Sequence, residues 1–262
     1  MKRDLVFRQP LMNAAGMLGF APDSRAPIAW NEFGAFVTNP ISLRPRLPAA
    51  QPASIQYSGG FLLHTGLPNP GFHKVMKKYS ERWSRADLPI IVNLMADRPE
   101  ETAQMVQTLE TQENVMAAEL GFAPLLADDI LLLTLEMCLG ELPLIFSLPA
   151  EQILRLGPRL IQEGAAAISI SAPRGSLPLT PPPLSIGEEE KIELVTGRLF
   201  GPSLFPQSLS LVRDAARISL PIISAGGAWK KEDMQAMLEA GALAVQADAA
   251  LWGLNWPNQY TE

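Results

Sequence analysis

A (β/α)8 barrel is the fold the sequence predicts, and three observations predict it. Eight short apolar runs of strand length alternate with segments whose apolar residues recur at helical spacing. The clearest unit spans residues 220–247. There Leu220–Ala225 reads as a buried strand, Gly226-Gly227 as a turn where backbone can approach a ligand, Lys231–Ala240 as a helix and Ala242–Ala247 as a second strand. Parallel strands joined this way are covered on both faces, and eight of them in unbroken βαβ order favour a closed barrel over an open doubly wound sheet.

Composition bounds the function. The chain has 262 residues, 47% hydrophobic and 18% charged, which suits a single globular barrel domain spanning 1–262. A net charge of −6 with no basic run argues against a nucleic-acid partner. The lone cysteine cannot form an internal disulfide, and no residue spacing suggests a metal. No apolar run reaches spanning length and none forms a signal core, so a cytoplasmic protein without membrane contact is expected.

In chain order, residues 4–12 suit a small hairpin closing the bottom of the barrel, and Asn13-Ala14-Ala15-Gly16 ends the first strand. A helix is expected over 23–33 and strand two over 34–38. A proline-rich loop follows, to Gly71, with helix two after it. Strand three covers 88–94 and ends in Asn93. Helix three opens with proline and acids at Arg98-Pro99-Glu100-Glu101. Strand four covers 116–120, and helix four starts at 127–129 with Cys138 at an apolar position inside it, a core residue. Strand five covers 143–148, helix five 150–162, strand six about 165–171 and helix six 206–217. Residues 174–199 form a long insertion with four prolines and three consecutive acids, Glu188-Glu189-Glu190; a loop this long is usually functional or mobile.

Several stretches resemble the flavin-binding barrels of the dihydroorotate dehydrogenase family. Gly66-Leu67-Pro68-Asn69-Pro70-Gly71 matches that family's Gly-Leu-x-Asn-Pro-Gly segment, and Asn13-Ala14-Ala15-Gly16 its Asn-Ala-Ser-Gly. Gly226-Gly227 and Gln246-Ala247-Asp248-Ala249-Ala250 match the two loops that offer backbone N–H groups to the FMN phosphate. The resemblance implies a barrel fold, FMN as cofactor, oxidation of dihydroorotate and a place in pyrimidine biosynthesis. The cofactor-contacting positions it implies are Ala15, Gly16, Asn39, Asn93, Ser147, Gly201, Gly226, Gly227, Asp248 and Ala249.

Several of those positions depart from the family. Asn39 stands for a lysine that lies against the flavin, and Ser147 for the lysine that neutralises reduced flavin. Asp248 stands for a glycine, and Phe200 for a serine beside the phosphate arm. Where the family carries its asparagine and its catalytic cysteine or serine, this chain reads Gly121-Phe122-Ala123-Pro124; the other substrate asparagines read Leu63 and Ala172. A carboxylate about 4 Å from a phosphate charge repels it by about 4 kcal/mol at an effective dielectric of 20, roughly a thousandfold in affinity. FMN bound in the family's manner is therefore not expected.

Three functions remain: a barrel that has lost catalysis and acts by binding, an active flavoenzyme with a rearranged site, and a non-flavin enzyme at the barrel mouth. The last would draw on His64, Arg44, Asn93 and Asp248, with His64 as general base in a loop facing the mouth. A small-molecule ligand at the mouth fits all three. After strand eight the last helix reads as truncated, and the aromatic tail 249–262, with Trp252, Trp256 and Tyr260, is the expected contact of a homodimer.

Overall fold

The computed structural model describes residues 5–124, 126–179 and 193–253. Its elements in order are β1 (Leu11–Asn13), β2 (Phe36–Val37), β3 (Ala53–Tyr57), β4 (Gly60–His64), α1 (Phe72–Ser84), β5 (Ile90–Met95), α2 (Pro99–Glu110), β6 (Val115–Gly121) and α3 (Asp128–Cys138). Then come β7 (Leu144–Leu148), α4 (Ala150–Glu163), β8 (Ala167–Ile170), β9 (Arg174–Pro178), β10 (Leu194–Phe200), α5 (Phe205–Arg217), β11 (Ile222–Ala225), α6 (Lys231–Glu239) and β12 (Ala244–Ala247).

Eight strands pair in parallel in the order β1-β12-β11-β8-β7-β6-β5-β2. A parallel bridge between Met12 and Ala35 brings the two ends together, so the sheet closes into a barrel. That seam is short, and Asn13 reinforces it. Its buried side chain donates to Val37 O (2.6 Å) and accepts from Val37 N (3.0 Å), taking the place of ladder bonds between β1 and β2.

Alternation along the strands sorts their side chains. Met12, Val37, Ile91, Ala117, Ile145, Ala167, Ile223 and Ala244 fill the barrel interior as an apolar floor. Outward residues pack under the helices with Phe72, Trp83, Leu109, Leu135, Cys138 and Leu160. Burial pushes the Cys138 thiol up to about 12, as expected of a core cysteine.

The structure corrects four expectations. Among the described residues of 4–12 there is no hairpin, only the chain entering β1. Residues 23–33 hold just a 3-10 turn at Trp30–Glu32. Pro27 lacks the N–H a helix needs there, and Asp23 bonds Arg25 N (3.0 Å) in a local turn. The proline-rich stretch contains the β3–β4 hairpin, and the 174–199 insertion begins and ends in strands β9 and β10. These four strands form a separate antiparallel sheet, β3-β4-β10-β9, over the C-terminal end of the barrel.

Candidate functional site

The C-terminal ends of the barrel strands carry the functional face of such folds. Two residues above the apolar floor, the same alternation turns Asn93, Glu119, Ser147, Ser169 and Gln246 inward. Glu119, 1% exposed, is the hub of that layer. Asn93 Nδ2 donates to its Oε2 (2.9 Å), while Ser169 Oγ (2.7 Å) and Gln246 Nε2 (2.8 Å) donate to its Oε1. A buried carboxylate with three donors is satisfied. Asn93 lies in this layer near the end of β5, with its amide committed to Glu119.

Glu119, Ser169 and the Gln246 side chain were not among the predicted site residues. Their signal was present: each is a polar residue on the inward phase of an otherwise apolar strand. Arg198, on β10, was also missed. Burial holds its pKa below the usual arginine range, cross-strand Arg174 adds to this, and attraction to Glu119 opposes it. Its side chain is half-buried.

Above the polar layer sits an apolar cluster of Met17, Phe61, Phe200 and Ala249, with Ala14, Leu63 and Ala172 against it. Met17, Ala172 and Ala249 follow β1, β8 and β12, while Phe61, Leu63 and Phe200 come from the antiparallel sheet. Phe61 and Phe200 stack with ring centroids 5.6 Å apart, and Trp252 lies 6.2 Å from Phe61. The Trp252 indole N–H donates to Met17 O (3.0 Å). These side chains pack against one another above the polar layer.

The remaining predicted residues divide between framework and mouth. Asn39 and Gly19 bond reciprocally, Gly19 N to Asn39 Oδ1 (3.0 Å) and Asn39 N to Gly19 O (2.7 Å), so this side chain pins the loop after β1. Ala15 packs on the apolar floor, Gly16 turns with φ 91°, and Gly201 with φ 130° starts the link to α5. Ser147 faces inward opposite Gly121 and Ser169. Asn69 Oδ1 accepts from Ser42 N (3.2 Å), Ser42 Oγ (3.1 Å) and Gly71 N (3.0 Å), which makes the 66–71 motif a structural clasp.

Two predicted groups do not join the mouth. His64 belongs to strand β4, not to a loop, and alternates with Phe61 and Leu63, whose side chains enter the mouth cluster; its ring lies on the other face. Arg44 is exposed and sits 4.0 Å from Glu101 on α2. The link after β6 carries no ionisable side chain from Gly121 to Pro124. Phe122 stacks on Phe146 at 5.4 Å, and Ala123 N donates to Asp97 (3.1 Å).

Asp248 is 3% exposed and follows β12. Neither carboxylate oxygen has a donor at full hydrogen-bond geometry, yet the N–H groups of Gly227, Ala250 and Ala249 lie near enough to favour its ionised form. Burial outweighs them and pushes its pKa up to about 6. Gly226 and Gly227 have φ of 92° and 82°, and a Cβ on Gly227 would collide with the Phe205 backbone nitrogen. A surface cleft of about 370 Å³, lined by Pro22, Trp30, Arg82 and Arg85 among others, lies beside the start of β5, away from the mouth. Among the described residues no group of His, Cys, Asp and Glu could hold a metal, and no helix is long and apolar enough to cross a membrane.

A sequence model of dihydroorotate dehydrogenase matches residues 3–122. The chain is also similar to curated catalytic subunits of dihydroorotate dehydrogenase B (NAD(+)). It is 27% identical to that of Trichlorobacter lovleyi, over 94% of this chain and 84% of the relative. The figures for Pelobacter propionicus are the same, 27%, 94% and 84%. A putative dihydroorotate dehydrogenase A (fumarate) of Pediococcus pentosaceus is 26% identical over 94% of this chain and 86% of the relative.

Proposed function

We propose that this chain, similar over 94% of its length to catalytic subunits of dihydroorotate dehydrogenase, is a member of that family that keeps the barrel and has given up flavin-dependent oxidation, acting by binding a small molecule or a partner. The observation that carries this reading is the apolar cluster at the mouth, where Phe61, Phe200, Met17 and Leu63 occupy the space above the polar layer. A tricyclic ring laid over the strand ends would have to displace the stacked pair.

The chemistry of the layer below supports the same reading. Proton abstraction from carbon needs a positioned base within hydrogen-bond reach of the reacting atom. The segment Gly121–Pro124 offers none, and Phe122 is spent on Phe146. Among the described residues Glu119 is the one buried carboxylate aimed into the layer, and three donors already occupy its oxygens. Ser147 carries no charge to balance an anionic reduced cofactor. FMN, when bound in such a barrel, supplies the hydride acceptor, and the residues here do not fit it.

The rearranged-flavoenzyme reading is favoured by one observation, that the similarity to named catalytic subunits extends over 94% of the chain. A direct experiment separates the two. Purified protein is expected to show no flavin absorbance in the visible, and no dihydroorotate oxidation with FMN and an electron acceptor in excess. Turnover above a buffer control, lost on Glu119→Gln, would establish the enzyme reading instead.

A further inference from the structure

Loops after strands seven and eight of a (β/α)8 barrel frequently form a phosphate site, because backbone N–H groups converge there with no side chain in the way. In this chain those loops are Gly226-Gly227 after β11 and Asp248–Ala250 after β12. Gly226 and Gly227 both have positive φ, 92° and 82°, a backbone conformation that glycine adopts without strain and that keeps side chains out of this turn. No space is left beside Gly227, since even a methyl group would strike the backbone of Phe205.

We propose that the Asp248 carboxylate closes the phosphate site of this barrel from within: the register that pairs Ala225 with Gln246 sets it beside Gly227, buried between the two loops without completing a hydrogen bond to either. Three observations carry the inference. The side chain is 3% exposed, so it points inward rather than to solvent. Both of its oxygens lack a conventional partner, which excludes a structural ion pair or a cap as the reason for its burial. The nearby groups that favour its negative charge are the same backbone N–H groups that would face a phosphate. Burial of an unpaired carboxylate is unfavourable, so its place between the two loops fits a ligand-like role.

The consequence is a restriction on ligand class. A phosphorylated ligand cannot seat its phosphate here without two like charges in one site, whereas an unphosphorylated ligand at the mouth is unaffected. This goes beyond the proposed loss of oxidation, since a barrel without a base could still hold a phosphorylated cofactor.

The test uses the full chain with inorganic phosphate, FMN and riboflavin as probes, measured by calorimetric titration. Asp248→Gly and Asp248→Ala are expected to bind inorganic phosphate about a thousandfold more tightly than the unmodified protein, the factor for removing one charge about 4 Å away at an effective dielectric of 20. Asp248→Asn, neutral but still filling the site, should gain far less. Either emptying variant suffices if the other does not fold. The inference is overturned if a folded emptying variant gains no phosphate binding, or if the unmodified protein binds FMN more tightly than riboflavin. Equal binding of FMN and riboflavin by the unmodified protein would instead count against the proposed function and leave the closed site standing.

Discussion

Two buried carboxylates, Glu119 and Asp248, sit in opposite circumstances, and each makes a separate prediction. Glu119 accepts three hydrogen bonds in a fully buried layer. Glu119→Ala strands three donors at about 1 kcal/mol or more each, so stability should fall by about 3 kcal/mol or more in urea unfolding; a loss under about 1 kcal/mol would show the layer to be hydrated. Asp248 has its pKa raised from 3.8 to about 6. A carboxyl group with a raised folded-state pKa holds its proton more tightly in the native state. Its contribution therefore declines as pH rises from about 4 to about 6, and the deficit is complete above that. The two-unit gap corresponds to about 3 kcal/mol. Asp248→Asn should then stabilise the protein by up to that amount well above pH 6 and by little below pH 4; equal gains at both ends would contradict the assignment. The sequence disclosed Asp248 because it interrupts a glycine position in a matched motif. It disclosed Glu119 only by strand phase, a weaker signal, because one charged residue in a seven-residue strand also suits an exposed edge.

Elements whose periodicity was uninterrupted were legible to within a residue or two. Helices α3 to α6 and the barrel strands after the first lie within two residues of where apolar spacing puts them, because burial against both the floor and the helix layer fixes their phase, whereas the first strand stops at Asn13, three residues before Gly16. What was not legible was the antiparallel sheet over the mouth. Residues 53–64 carry Tyr57-Ser58-Gly59-Gly60 between two short runs, a turn signal diluted by the prolines before it. Strands β9 and β10 are separated by a long stretch, so neither has a local partner to reveal it. This missing sheet is why His64 was placed in a loop facing the mouth, and why the stacked Phe61 and Phe200 were not foreseen. At this scale the mouth cluster predicts a stability cost rather than a gain of function. Phe61→Ala, which removes a ring that is 5% exposed, should cost about 3 to 5 kcal/mol. A mutant of unchanged stability would mean that the ring covers an empty mouth. Helix α3 offers an independent check on the helix layer. With its thiol raised to about 12 and 3% exposed, Cys138 should react with a thiol reagent only after denaturation, and labelling of the native protein would contradict its placement in the core.

At the scale of the whole molecule, the barrel depends on a seam that regular pairing does not supply. Strands β12 and β1 share three register pairs and β2 and β5 share two, whereas β1 and β2 meet through the single bridge between Met12 and Ala35. Trp252 adds closure at the mouth by bonding Met17 O, and of the tail 249–262, on which the homodimer expectation rests, residues 254–262 lie outside the described residues. The seam itself is held by Asn13, whose amide bonds both the N–H and the C=O of Val37 while fully buried. The sequence placed it only in a motif at the end of the first strand, and the geometry assigns it to closing the ring. Asn13→Ala would leave both Val37 groups without partners in a dry interior, at about 1 to 3 kcal/mol each, and Asn13→Leu would add apolar volume without restoring either bond. Both variants should lose about 2 to 6 kcal/mol in urea unfolding. Because the seam joins β1 and β2, the two ends of the eight-strand order, the loss should appear as a lower midpoint with an unchanged slope, the whole barrel still unfolding as one unit. A separate early transition of the N-terminal segment, or a loss below about 0.5 kcal/mol, would show that the ring is closed by something other than Asn13.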